Sequence, residues 1–135
     1  MVRLTGNAKA LAILLIVFIF CDFLLSPLGF ETRGSAILGN PASLPWFGLL
    51  VGGLILNIAS LILLSFRARV SSILALVGSF IYIVVLLGDQ AGLVTPVKAP
   101  PLIAYVEIPT FLILLVTLFY ASRVYRESRA KLAVR

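Results

Sequence analysis

Four long apolar stretches alternate with short breaks along the chain: Ala8–Leu28, Pro45–Phe66, Val70–Gly88 and Leu102–Ser122. Each is close to the ~20 residues a helix needs to cross a hydrocarbon core of ~30 Å. Leu, Ile, Val and Phe dominate them, and no polar face recurs at the helical period as it does on a soluble helix. The breaks are polar or rich in glycine and proline. They are Gly29–Leu44, with Gly29, Gly34, Gly39 and Pro41; Arg67–Arg69; and Asp89–Pro101, with Pro96, Pro100 and Pro101. This pattern predicts an all-α polytopic membrane protein, a bundle of four antiparallel transmembrane helices forming one domain over residues 1–135, with a basic tail at 123–135. No internal repeat stands out.

Composition narrows the class further. Of 135 residues, 61% are hydrophobic and 12% charged, and the mean hydropathy is +1.17. Soluble domains are about 45–50% apolar and about 25% charged, and a small one buries only about two-thirds of its chain surface. A soluble globule is therefore excluded, and so is disorder, which requires low hydrophobicity. The first span also fits the apolar centre of a secretory signal. However, Phe20 ahead of Cys21 is too bulky for lipoprotein-type cleavage and the apolar run outlasts a signal core, so a permanent helix is expected.

The net charge of +6 would suggest nucleic acid in a soluble protein. Here the cations flank the spans, and no nucleic-acid partner is expected. Arg3, Lys9, Arg67, Arg69, Arg123, Arg126, Arg129, Lys131 and Arg135 fall on one side, against Arg33 and Lys98 on the other. By the positive-inside rule both termini and the middle loop are cytoplasmic, in the plasma membrane. Aromatic residues agree: Phe30, Trp46, Phe47 and Tyr105 mark the outer boundary, and Phe66, Tyr120 and Tyr125 the inner one.

The chemistry is sparse. There is no histidine, one cysteine and one methionine. Haem, iron–sulfur and zinc sites draw on just those residues, a dithiol needs a second cysteine, and Ser-His or Cys-His pairs lack their base. No enzyme activity, metal or cofactor is expected, and Cys21 reads as a small buried hydrophobe.

Ionisable groups inside a bilayer are costly and mark candidate sites. Asp22, six residues before Leu28, and Glu107, five after Leu102, lie at a similar depth of roughly 9 Å or less. Asp89 sits at the outer mouth of the third span. One reading is an outward-facing acidic pocket of Asp22, Asp89 and Glu107. Carboxylates close together in a low dielectric resist joint ionisation, so such a set carries protons or captures a cation. The structural reading, which is preferred, pairs the acids with Arg33 or Lys98, or with hydroxyls and loop backbone. If helix four began at Pro109, Glu107 would face its N-terminus. Pro109–Ser122 covers only about 21 Å, so a longer helix kinked near Pro109 is expected.

Small and polar residues recur as stripes. Span two has Gly48-x-x-x-Gly52, then Gly53, Asn57 and Ser60; span three has Ser71, Ala75, Gly78, Ser79 and Tyr82; span four has Glu107, Thr110 and Thr117. Helices in lipid associate through close backbone approach and interhelical hydrogen bonds, so these are the expected seams. Asn57, near mid-membrane, needs a partner on another span. The two outer loops are expected to cover the acidic pocket or to face a partner. The tail is expected to prolong helix four, with Glu127 and Lys131 as an i,i+4 pair and its cations anchoring topology rather than forming a specific lipid site.

The expected function is a non-catalytic accessory or scaffold subunit in the lipid bilayer, assembled with other membrane subunits or with itself. The alternatives are a small oligomeric proton- or cation-coupled transporter using Asp22 and Glu107, and a bundle binding a lipid or quinone in a cleft lined by Tyr82, Asn57 and Tyr105.

Overall fold

The computed structural model describes residues 4–95, 97–98 and 100–133, with the side chains of all but 27, 28, 30 and 131–133. Arg3 and Arg135, and the side chains of Phe30 and Lys131, therefore lie outside the described residues. Four helices fill the described chain: α1 (Gly6–Leu38), α2 (Leu44–Leu63), α3 (Ala68–Gln90) and α4 (Pro101–Ala133). All four are long and apolar enough to cross a membrane.

Local chemistry sets most of the ends. Thr5 caps α1, its hydroxyl accepting from the Ala8 N–H at 3.3 Å, which satisfies one of the free donors of the first turn. Gly39 closes α1, donating its N–H to the Ser35 carbonyl at 2.9 Å. Pro45 stands in the first turn of α2, where a missing N–H is harmless. Beyond α3, the Leu93 N–H reaches the Gly88 carbonyl and the Gly92 N–H the Asp89 carbonyl. Gly92 sits at φ +73°, and this paired pattern is a Schellman stop whose left-handed residue favours glycine.

Two boundaries differ from those read in the sequence. The stretch expected as a loop over Gly29–Leu44 is mostly helix, since α1 runs on to Leu38. Its glycines weaken the helix by about 1 kcal/mol each, but burial of Arg33 against α3 holds the extension in place. α4, by contrast, follows the reading of a longer helix: it begins at Pro101 and continues through Pro109 into the basic tail as far as Ala133. Glu107 is thus inside the helix rather than at its start. The α2–α3 connection is the turn 64–67, with both the Phe66 and Arg67 N–H groups on the Leu63 carbonyl; Arg69 belongs to α3.

Each helix packs on its neighbours in a ring, α1 on α2, α2 on α3, α3 on α4 and α4 on α1, with α1 and α2 touching least. The interior holds two apolar clusters. One, toward the α2–α3 turn, joins Leu11, Leu15, Leu64, Ala75, Ala121 and Val124. The other joins Phe18, Tyr82, Ile83, Leu86 and Leu114, with Phe18 set edge-on to Tyr82 at 4.8 Å between ring centroids. Polarity is inverted relative to a soluble domain. Asn57, Ser60, Ser71, Ser79, Thr110 and Thr117 are fully buried, while Ile13, Phe20, Ile55, Ile62 and Phe80 are exposed on the outside.

Candidate functional site: a polar cluster beside an apolar cavity

The α2–α3 seam fixes the geometry of the interior. Gly53 and Gly78 meet back to back: a Cβ on Gly78 would lie 2.9 Å from the Gly53 carbonyl oxygen. Asn57 uses this contact, donating Nδ2–H to the Gly53 carbonyl at 2.9 Å and accepting from the Ser79 hydroxyl at 3.1 Å. Its partner is on span three, one of those the sequence allows. Nearer the turn, Ser60 and Ser71 clasp each other, each hydroxyl donating to the other's backbone carbonyl at 2.9 and 2.8 Å. Gly48 and Gly52 take no part, since a Cβ on either meets nothing within 4 Å. Thr110 and Thr117 are buried but donate to carbonyls of their own helix, at Val106 and Ile113.

With α3 registered against α2, its far end carries Tyr82, Asp89 and Gln90 to the acids of α1 and α4. Asp22 is 1% exposed and accepts from the Tyr82 hydroxyl through Oδ1; Ser26 lies one turn along beside it. Its second oxygen, Oδ2, is buried and makes no hydrogen bond among the described residues. Arg33 donates from Nη1 to both oxygens of Asp89 at 2.9 and 2.8 Å, while its buried Nε–H has no acceptor among them. Glu107 accepts from the Gln90 side-chain amide and has Asp89 as a neighbour. Lys98, the other cation considered for these acids, is exposed.

Asp22 is met by Tyr82, while Asp89 and Glu107 lie side by side, with Arg33 on Asp89 and Gln90 on Glu107. No group of three or more His, Cys, Asp or Glu side chains converges in a metal-binding geometry among the described residues. What unites them is a cavity of about 260 Å³ walled by all four helices, lined by Asp22, Asp89, Glu107 and Arg33. Its remaining wall is mostly apolar, with Phe47, Leu50 and Leu54 from α2, and Ile37 and Val94 above. Both segments expected as outer loops thus contribute to its cover, the first as helix. For scale, a dry cavity of ~150 Å³ takes up benzene. Tyr82 lines this space, but Asn57 and Tyr105 do not; Tyr105 is 73% exposed.

Several contacts were not legible in the sequence. Gln90 as the partner of Glu107 is one; its signal is a second polar side chain directly after Asp89. Trp46 lies against Gly88 so closely that a Cβ there would sit 2.7 Å from the ring. At the opposite end, Glu127 accepts from the Thr5 hydroxyl at 2.9 Å and from the Asn7 amide. Its carboxylate is thus engaged by the start of α1, while the side chain of Lys131, the expected partner, lies outside the described residues. Cys21 is half-buried, not fully buried. No known family, no curated protein and no solved structure matches this chain.

Proposed function

We propose that this is an integral membrane protein that crosses the plasma membrane four times as an antiparallel bundle, and that it binds an amphipathic ligand in the cavity beside Asp22 and Arg33. The observation that carries the binding reading is the pair of buried atoms left without partners at its edge, Asp22 Oδ2 and Arg33 Nε. An unpaired buried polar group costs about 1–3 kcal/mol, more when charged. Both residues line an otherwise apolar space, which is the composition of a small-molecule site: greasy walls and a few convergent polar groups.

Orientation rests on charge. Lys9, Arg67, Arg69, Arg123, Arg126 and Arg129 gather at the end with the α2–α3 turn, and that end is cytoplasmic under the positive-inside rule. The cavity then opens in the outer half of the bilayer. Coupled transport is a weaker reading, because Asp22, Asp89 and Glu107 stand at one end only. Between them and the other face lie the packed side chains of Phe18, Leu114, Ala75 and Leu15.

A second reading, the accessory or scaffold subunit, is favoured by one face of α2. Gly48 and Gly52 stand open there, beside exposed Ile55 and Ile62, and a further helix fits closely against glycine. Lipid extraction after purification separates the two. Ligand binding expects an organic molecule co-purifying in near one-to-one ratio, lost when Val51 at the exposed rim of the cavity is enlarged by Val51→Trp. A scaffold expects a partner chain retained in mild detergent; a monodisperse monomer with no partner removes that reading.

A further inference from the structure

We infer that the ligand of this cavity is a lipophilic amine bound as its ammonium ion, with Asp22 as the counter-ion. The inference rests on the cavity being a binding site and adds the chemical class of the occupant.

Charge balance leads there. The wall holds three carboxyl groups, on Asp22, Asp89 and Glu107, and one cation, Arg33. Arg33 is committed to Asp89 through both carboxylate oxygens. Glu107, which also feels the Arg33 charge, takes a neutral donor from the Gln90 amide, and Asp22 takes one from the Tyr82 hydroxyl with Ser26 beside it. Asp22 is the more deeply buried of the two, at 1% exposure against 7%, and its Oδ2 makes no hydrogen bond among the described residues. When ionised, the Asp22 carboxyl only accepts, so what its Oδ2 lacks is a donor, and in a low-dielectric wall the donor that keeps it ionised carries positive charge.

The shape agrees. An ammonium against Asp22 directs its hydrocarbon part along Leu50, Leu54 and Phe47. Tyr82 and Phe47 put aromatic rings in the same wall, and ring faces attract alkylammonium groups. A bare metal ion suits the site less, because no third carboxylate or other ligand converges on Asp22. An anion would meet an excess of carboxylates.

The test uses the full-length protein in lipid nanodiscs, with empty nanodiscs as the partition control. Three probes share one body: 4-phenylbutylamine, 4-phenylbutanol and 4-phenylbutyrate, their saturable binding measured by equilibrium dialysis. The expected order is amine, then alcohol, then carboxylate, with the amine about tenfold tighter than the alcohol, as a charge-assisted hydrogen bond replaces a neutral one. Asp22→Asn should bring amine and alcohol to equal affinity. The wild-type order alone decides the matter even if that variant fails to fold. Equal binding of amine and alcohol that Val51→Trp abolishes overturns the ammonium assignment and leaves the cavity a binding site. Absence of saturable binding by any probe overturns both.

Discussion

Arg33, on the part of α1 beyond its first span, and Asp89, near the end of α3, form an ion pair in which one guanidinium nitrogen donates to both carboxylate oxygens. The two side chains are 8% and 10% exposed. Fifty-six positions separate them in the chain, and their pairing holds the prolonged α1 over the cavity. In a buried pair the Coulomb gain roughly offsets desolvation, so the pair contributes little net stability, whereas a single unpaired member is costly. Arg33→Met or Asp89→Leu alone should therefore lower stability by about 3–5 kcal/mol, read as the unfolding midpoint in detergent. The double variant should recover most of that loss. Equal losses in single and double variants would show that the charges do not interact.

Close packing at α2–α3 gives a contrast within one motif. Gly78→Ala drives a methyl group into the Gly53 carbonyl and the Asn57 amide, and overpacking of this kind costs about 1–3 kcal/mol. Gly48→Ala and Gly52→Ala add a methyl to open space and should leave the monomer's stability within about 0.5 kcal/mol of wild type. If instead Gly52→Ala dissociates a complex at unchanged monomer stability, the scaffold reading gains its direct support.

Tyr82→Phe removes the hydroxyl that donates to Asp22 while keeping the ring edge-on to Phe18. The carboxyl group then loses the Tyr82 donor, a loss of about 1–3 kcal/mol. Saturating amine should restore more thermal stability to this variant than to wild type, since the variant's Asp22 lacks the Tyr82 donor that wild type keeps.

At the opposite end, Glu127→Ala frees the Thr5 hydroxyl and the Asn7 amide. Loss of a hydrogen bond to a charged group, about 1.5–3 kcal/mol, should appear as faster amide exchange in the first turn of α1, by roughly tenfold or more. Exchange around Gln90 should stay unchanged, because that end is held by separate contacts.

Orientation is checked by labelling in intact cells after Cys21→Ala. A cysteine at Lys98, exposed near the cavity end, should react with an impermeant maleimide, and one at Arg129 should not. The reverse result would invert the topology and place the cavity in the inner half of the bilayer.

The four helices, their apolar outer faces and the buried polar stripes follow from composition and spacing alone. In lipid every backbone group must be bonded within its own helix, so an apolar run of sufficient length has little choice of structure. The Ser71, Ala75, Gly78, Ser79 and Tyr82 stripe is buried as its spacing indicates, because helical periodicity acts locally. Partnerships were another matter. The sequence left Arg33 and Lys98 as equal candidates for the acids, and nothing local distinguishes them. Only tertiary packing decided: α1 continued past its glycines to carry Arg33 onto Asp89, the Gln90 amide met Glu107, and Glu127 turned to Thr5 and Asn7 at the start of α1. Which polar group meets which depends on the rotation and register of packed helices. Those are set by a few close contacts such as Gly53 on Gly78, between positions far apart in the chain.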